Sequence, residues 1–251
     1  MKFSFLMAIN RDNQYLTRAI DSVLSQTDPD FKFYIVANNC NDELWDYLSS
    51  LKDARLVVHR TYIGQLAFSL NYGLSLIRCG YVLRMDADDI SLPDRLEKTK
   101  LALAEHKFPE ILAGSTILID GADKEIGHTK PPLAHKDIVK AFWRRNPICH
   151  PATVYRAEAI LKLRGYNAGF VSEDYELWLR AHRSGNVRFA GSETVFLKYR
   201  VHGDQARGNP LAYAEIVGFL MREFLLTSNF SYIFGAGLSA AKYFIRKLRI
   251  A

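Results

Sequence analysis

Four short runs set the architecture open to this chain. Phe3 to Ile9, Phe31 to Ala37, Arg55 to His59 and Tyr81 to Met85 are all β-compatible, and helical spacing follows each of the first three. That spacing predicts helices through Tyr15, Leu16, Ala19, Ile20, Val23 and Leu24, then Leu44 to Leu51, then Leu70, Leu74 and Ile77. Near-continuous apolar strands separated by helices are what a parallel sheet covered on both faces requires. The expectation is a doubly wound α/β sheet of the nucleotide-binding type.

The fourth run ends abruptly in Asp86-Ala87-Asp88-Asp89, and a helical pattern starts at Pro93 and runs to about His106. Open α/β sheets bind ligands beyond the carboxyl ends of their strands. Carboxylates there suit a divalent cation that also holds phosphate oxygens; a polar helix-capping turn has the same composition. A second acidic site lies at Ser172-Glu173-Asp174. Ser172 is placed to cap a helix whose positive first turn holds both acids. The functional reading puts a carboxylate there, facing the strand end and poised to accept a proton. The third feature is Tyr199-Arg200-Val201-His202, a strand running into a Gly-containing loop that extends to Gln205. Imidazole is a common metal ligand and a guanidinium fork suits diphosphate, although an isolated His is more often structural or merely exposed.

Between these features the pattern predicts a strand over 111–119, turn chemistry at Asp120 to Lys124, a helix near Ile138 to Trp143, a strand near 152–155 and a helix from Ala157. A chain of 251 residues that is 49% hydrophobic reads as one large domain with an appendage. Its formal charge of +6 fits an anionic partner. The basic residues are scattered, with one aromatic-interleaved patch at Phe142-Trp143-Arg144-Arg145 that would equally line an acceptor cleft, so no nucleic-acid partner is expected. Cys40, Cys79 and Cys149 read as free thiols in a reducing compartment. The first apolar run is too short for a signal peptide, and no stretch is long enough to span a bilayer, so a cytoplasmic location is expected.

Four segments, in order, resemble a family 2 inverting glycosyltransferase with the GT-A fold, of the bacterial kind that builds lipopolysaccharide, capsule or other surface polysaccharide. They are Ala19 to Thr27, Met85 to Asp89 leading to Pro93 to Leu96, Ser172 to Trp178, and Tyr199 to His202. The resemblance implies a mostly parallel twisted sheet flanked by helices, with residues 1–207 as the catalytic domain and 208–251 as a C-terminal helical extension. It implies Asp174 as the catalytic base, and Asp88 with His202 as ligands of Mn²⁺ or Mg²⁺. Ala8, Asn10, Asn38, Asp86, Glu173, Trp178 and Arg200 become candidate substrate-binding residues. The implied partners are a nucleotide-diphosphate sugar donor and a glycan or lipid-linked acceptor. One metal-holding acid and one separate free acid together suit a single in-line displacement with inversion.

This chain departs from the family pattern after the second strand, where Asn38 and Asn39 stand in place of paired acids, and at Asn10-Arg11, where Tyr-Asn is usual. The donor nucleotide therefore stays open. A nucleotidyltransferase would need a Gly-rich basic loop near the first strand, and Asn10 to Gln14 has no Gly. A dehydrogenase would need G-x-G-x-x-G there. A non-catalytic binding module remains the other alternative. Beyond about Gln205, Leu211 to Leu226 reads as an amphipathic helix. The apolar stretch from Phe230 then leads to Lys242, Arg246, Lys247 and Arg249, which suits either an interfacial helix on the inner face of an anionic membrane or packing against the domain or a second subunit.

Overall fold

The computed structural model describes residues 1–202 and 209–250, with side chains to 245. The loop around Gly203 to Gln205, the expected domain boundary at 207/208 and the side chains of Arg246, Lys247 and Arg249 lie outside the described residues.

The first half follows the predicted alternation: β1 (Phe3–Ile9), α1 (Leu16–Leu24), β2 (Lys32–Asn38), α2 (Asp42–Ser50), β3 (Leu56–Thr61), α3 (Leu66–Leu76) and β4 (Tyr81–Met85). These four strands are parallel in the order β3-β2-β1-β4, with Met7 level with both Ile35 and Met85. Successive residues of β1 serve opposite faces. Phe5 and Met7 join Ile20, Val23 and Leu48 on the α1/α2 face, and Leu6 joins Leu70 and Leu74 of α3 on the other. Each fully buried Leu or Phe side chain contributes about 1.5–3 kcal/mol by leaving water.

The second half is mixed. After β5 (Ile90–Ser91) and α4 (Arg95–Glu105) come β6 (Ile111–Ile119), β7 (Glu125–Thr129), α5 (His135–Ala141), β8 (Thr153–Arg156), α6 (Ala157–Lys162), α7 (Glu173–Arg183), β9 (Phe189–Arg200), α8 (Pro210–Thr227) and α9 (Ser231–Ile250). β8 inserts antiparallel between β4 and β6, β9 runs parallel to β6, and β5 pairs antiparallel with β9. The β5–β9 pairing matters most for function, because it brings the end of β9 beside the turn that follows β4.

β9 begins at Phe189, earlier than the apolar run at Phe196 suggests. Its first half, Phe189-Ala-Gly-Ser-Glu-Thr, carries no strand signal and is held by pairing with β6 across register shifts. Close approach sets the residue types there. A Cβ on Gly191 would run into the Pro132 carbonyl, and one on Gly114 into the Phe196 ring. The three cysteines are free, as expected.

Candidate active site

The acidic turn is built over a buried cation. Arg84 of β4 is 1% exposed, donates to the carbonyls of Leu6 and Met85, and pairs with Asp86 at 2.5 Å. The three carboxylates then part in role. Asp86 and Asp88 line the cleft. Asp89 is fully buried, and its Oδ1 accepts the backbone N–H of Arg200 at 2.8 Å. Burial, reinforced by the charges of Asp86 and Asp88, raises the Asp89 carboxyl well above its ordinary range. The same forces raise Asp86, opposed by Arg84.

Arg200 does not reach the cleft, which corrects its expected role in binding substrate. Its side chain is fully buried: Nε donates to the Asp88 carbonyl at 2.7 Å, Nη1 to the Asp120 carbonyl at 2.9 Å, and Nη2 pairs with Asp123 at 2.6 Å. The guanidinium also lies 3.9 Å from the Tyr15 ring centroid. It is a clamp on the acidic turn. His202, one residue beyond Val201, places Nε2 2.9 Å from Asp88 Oδ2 and lines the cleft.

These residues fit a divalent cation. Oxygens of Asp86, Asp88 and Asp89 lie within 4.8 Å of one another, a hard-oxygen set of the kind Mg²⁺ and Mn²⁺ take. Asp89 Oδ2 is buried without a hydrogen-bond partner, and among the described residues the trio has one arginine or lysine ion pair, Arg84 on Asp86. A bound dication would relieve the mutual repulsion that raises these carboxyls.

The second acidic site opens α7. Asp174 Oδ1 accepts the N–H of Tyr175 at 2.7 Å, and Oδ2 accepts Nδ2 of Asn146 at 2.8 Å. Ser172 makes no side-chain cap, so the acids, not the serine, occupy the positive helix start. Burial pushes Asp174 up to about 6, with those two hydrogen bonds opposing. Glu173 is 5% exposed, and burial, then the neighbouring Asp174, push it up to about 8. Its nearest basic group is His150, with Nδ1 at 3.8 Å, but burial drives that imidazole well below its ordinary range and leaves it neutral near pH 7. The two adjacent carboxyls are thus both raised, Glu173 more than Asp174.

Both sites face one cleft of about 1250 Å³. The ends of β1 and β2 contribute Ala8, Asn10 and Asn38, and the charge of Asp86 acts on both Glu173 and Asp174. Asn38 Nδ2 donates to the Ile63 and Gln65 carbonyls and to Ser69 Oγ, which fixes the amide orientation and leaves Oδ1 without a partner. Trp178 is a correction. It lies one turn further along α7, fully buried, with its ring against His150 and Phe189 at centroid distances of 6.2 and 6.4 Å. The Phe142 to Arg145 patch is another, since Phe142 is core and the cleft lining starts at Asn146. Sequence reasoning missed Arg84, Asn146 and His150. Arg84 carried one faint signal, a charge inside an otherwise apolar strand; the other two sit in irregular segments and carried none.

Residues 5–164 match the family model described as "Glycosyl transferase family 2". The chain is 36% identical over 228 residues to "O-antigen biosynthesis glycosyltransferase WbnJ" of Escherichia coli, covering 88% of each chain. It is 28% identical over 193 residues to "UDP-Gal:alpha-D-GlcNAc-diphosphoundecaprenol beta-1,3-galactosyltransferase" of the same species, covering 73% of this chain and 69% of that one. Among solved structures, S. aureus TarS 1-349 in complex with UDP-GlcNAc superposes with a TM-score of 0.71 at 18% identity, covering 90% of this chain and 67% of that one. The mannosyltransferase PcManGT from Pyrobaculum calidifontis, in complex with GDP-Man and Mn²⁺, gives 0.66 at 12% identity, covering 96% and 73%. These likenesses show the GT-A fold.

Proposed function

The chain belongs to glycosyl transferase family 2 and is a glycosyltransferase of polysaccharide biosynthesis, and from that premise we propose a metal-dependent, inverting transfer. The sugar moves from a nucleoside-diphosphate donor to a hydroxyl of a glycan or lipid-linked acceptor. The observation that carries this reading is the convergence of Asp174 with Asp86 and Asp88 on one cleft.

Asp174 is the group to take the proton of the attacking hydroxyl: it is held by Asn146 and its own helix, and it lines the cleft. Burial and Asp174 raise the Glu173 carboxyl further than that of its neighbour, so Asp174 is the better base of the two, which suits a single displacement with inversion. On the other side Asp86 and Asp88, with His202, are the residues to hold Mn²⁺ or Mg²⁺. When bound, the cation would neutralise the charge that builds on the departing diphosphate. Arg84 and Arg200 keep these carboxylates in place from beneath.

Ala8, Asn10 and Asn38 take the nucleoside. With the donors of Asn38 committed to protein acceptors, its Oδ1 offers an acceptor only, which favours a base edge carrying an N–H. Relatives and neighbours named for UDP and GDP sugars are consistent with this. Residues 1–207 form the catalytic part in this reading, and the extension beyond them supplies Ala212 and Ile216 to the cleft wall. The enzyme works at the cytoplasmic face of the membrane if its acceptor is lipid-linked. The test is release of nucleoside diphosphate from UDP-, GDP- and TDP-sugars with Mn²⁺ or Mg²⁺. Asp174→Asn should lose transfer and retain donor binding; a chain that binds none of these donors ends the reading.

A further inference from the structure

The two C-terminal helices leave one apolar face uncovered among the described residues. α9 packs through Tyr232, Gly235, Ala236 and Ser239, all buried, and Gly235 is pressed so closely on the Trp143 carbonyl that a Cβ would collide with it. At 100° per residue the opposite side of the helix carries Phe234, Leu238, Ala241 and Ile245, all exposed. Phe234 is 69% exposed and Ile245 54%. Phe230 and Phe244 flank this stripe, and Leu225 at the end of α8 is 74% exposed. Among the described residues, a helix apolar on both sides has one partner and no second.

We infer that this face seats the protein on an anionic lipid surface. Charge selects that occupant. After Glu223 the chain has no acidic residue, yet Lys242, Arg246, Lys247 and Arg249 follow or flank the stripe. Lys242 is exposed beside the stripe, and anionic headgroups attract such cations within a Debye length. No helix among the described residues is long and apolar enough to cross a membrane. The fitting geometry is a helix lying in the interface with its stripe in the acyl boundary. Phe234 to Ile245 spans roughly 16 Å at 1.5 Å per residue, three turns of contact.

The hairpin also borders the cleft, because Ala212 and Ile216 of α8 line it beside Phe170, which is 70% exposed. Seating α9 on lipid therefore brings this wall of the cleft toward the bilayer. This purpose rests on the glycosyl-transfer reading; the docking itself does not.

The test is flotation of the full chain with vesicles of phosphatidylglycerol and phosphatidylcholine, compared with phosphatidylcholine alone. The expected result is flotation with the anionic vesicles only, weakened by salt. A triple variant, Phe234→Ser with Leu238→Ser and Ile245→Ser, should lower partition at least tenfold, and its exposed positions leave the fold and Tm unchanged. Lys242→Glu alone should lower it severalfold. Equal flotation with neutral vesicles overturns the inference, as does a triple variant that floats like the parent. A dimer that the triple variant converts to monomer, without any lipid binding by the parent, overturns it in favour of a second copy. Failure of the parent to turn over nucleotide sugars would remove the proposed function and leave the flotation result as read.

Discussion

Asp89 and Arg200, 111 residues apart, hold each other's backbone in place: the Asp89 carboxylate accepts the Arg200 N–H, and the Arg200 side chain donates to the carbonyl just before Asp89. This reciprocal hold makes the turn after β4 a rigid presenter of Asp86 and Asp88. Replacing Arg200 by Met leaves the Asp88 and Asp120 carbonyls without that donor and Asp123 with Arg18 as its remaining ion-pair partner. Breaking a buried pair from one side costs about 3–5 kcal/mol. The expected outcome is a Tm lowered by several degrees, read by thermal melting, with metal-stimulated turnover lost more steeply than nucleotide affinity.

The pH profile should show one acidic limb. Transfer needs Asp174 ionised, so kcat/KM should fall as pH drops through about 6. The hydrogen bond from Asn146 favours the ionised form, so Asn146→Ala should move that limb to higher pH. A limb that stays in place in the variant would show that another group is titrating.

Glu173 makes a separate prediction about stability. Its folded-state carboxyl is raised from the ordinary 4.5 to about 8, so the native state binds the extra proton and stability declines as pH rises across that window. Glu173→Gln removes the proton exchange. The variant should gain on the parent in urea melts at pH 8 and show no such gain at pH 4.

Metal dependence tests the acidic turn. Chelation should abolish turnover and added Mn²⁺ or Mg²⁺ should restore it. Asp88→Asn should lower kcat about 100-fold, corresponding to the loss of about 2.7 kcal/mol or more of electrostatic stabilisation. His202→Ala should weaken metal affinity, read by titration calorimetry; unchanged affinity and turnover would remove His202 from the site.

Partnership between the two helices at the site can be tested at Glu176. It is fully buried in α7, bonded to Arg180 of its own helix and to Arg222 of α8. Glu176→Ala would take the carboxylate from Arg180 and leave Arg222 with Glu223 alone, a loss of about 3 kcal/mol. Because Asp174 lies in the first turn of α7, the loss should also appear as a lower kcat with little change in donor KM.

Strand-helix alternation up to Met85 was legible because buried parallel strands are apolar along their whole length, and so were the acidic turn and the acids that open α7. Two strands and the roles of two residues were hidden. β5 is two residues long and the first half of β9, Phe189-Ala-Gly-Ser-Glu-Thr, does not alternate, so neither carries a pattern; both exist through pairing with more distant strands. Arg200 and Trp178 looked like ligand-binding residues by type, and only their burial showed that one clamps the acidic turn and the other fills the core.

Local composition along the chain was enough to determine the class of fold and the kind of chemistry, since periodicity and clustered carboxylates are properties of neighbouring residues. Tertiary structure alone decided which carboxylates meet. Asp89 turns inward to the backbone, Asp86 and Asp88 face outward, and Asp174 arrives from 86 positions beyond Asp88 to share their cleft. The physical reason is that solvation, hydrogen-bond partners and the field of other charges set what a carboxyl does, and long-range packing supplies all three.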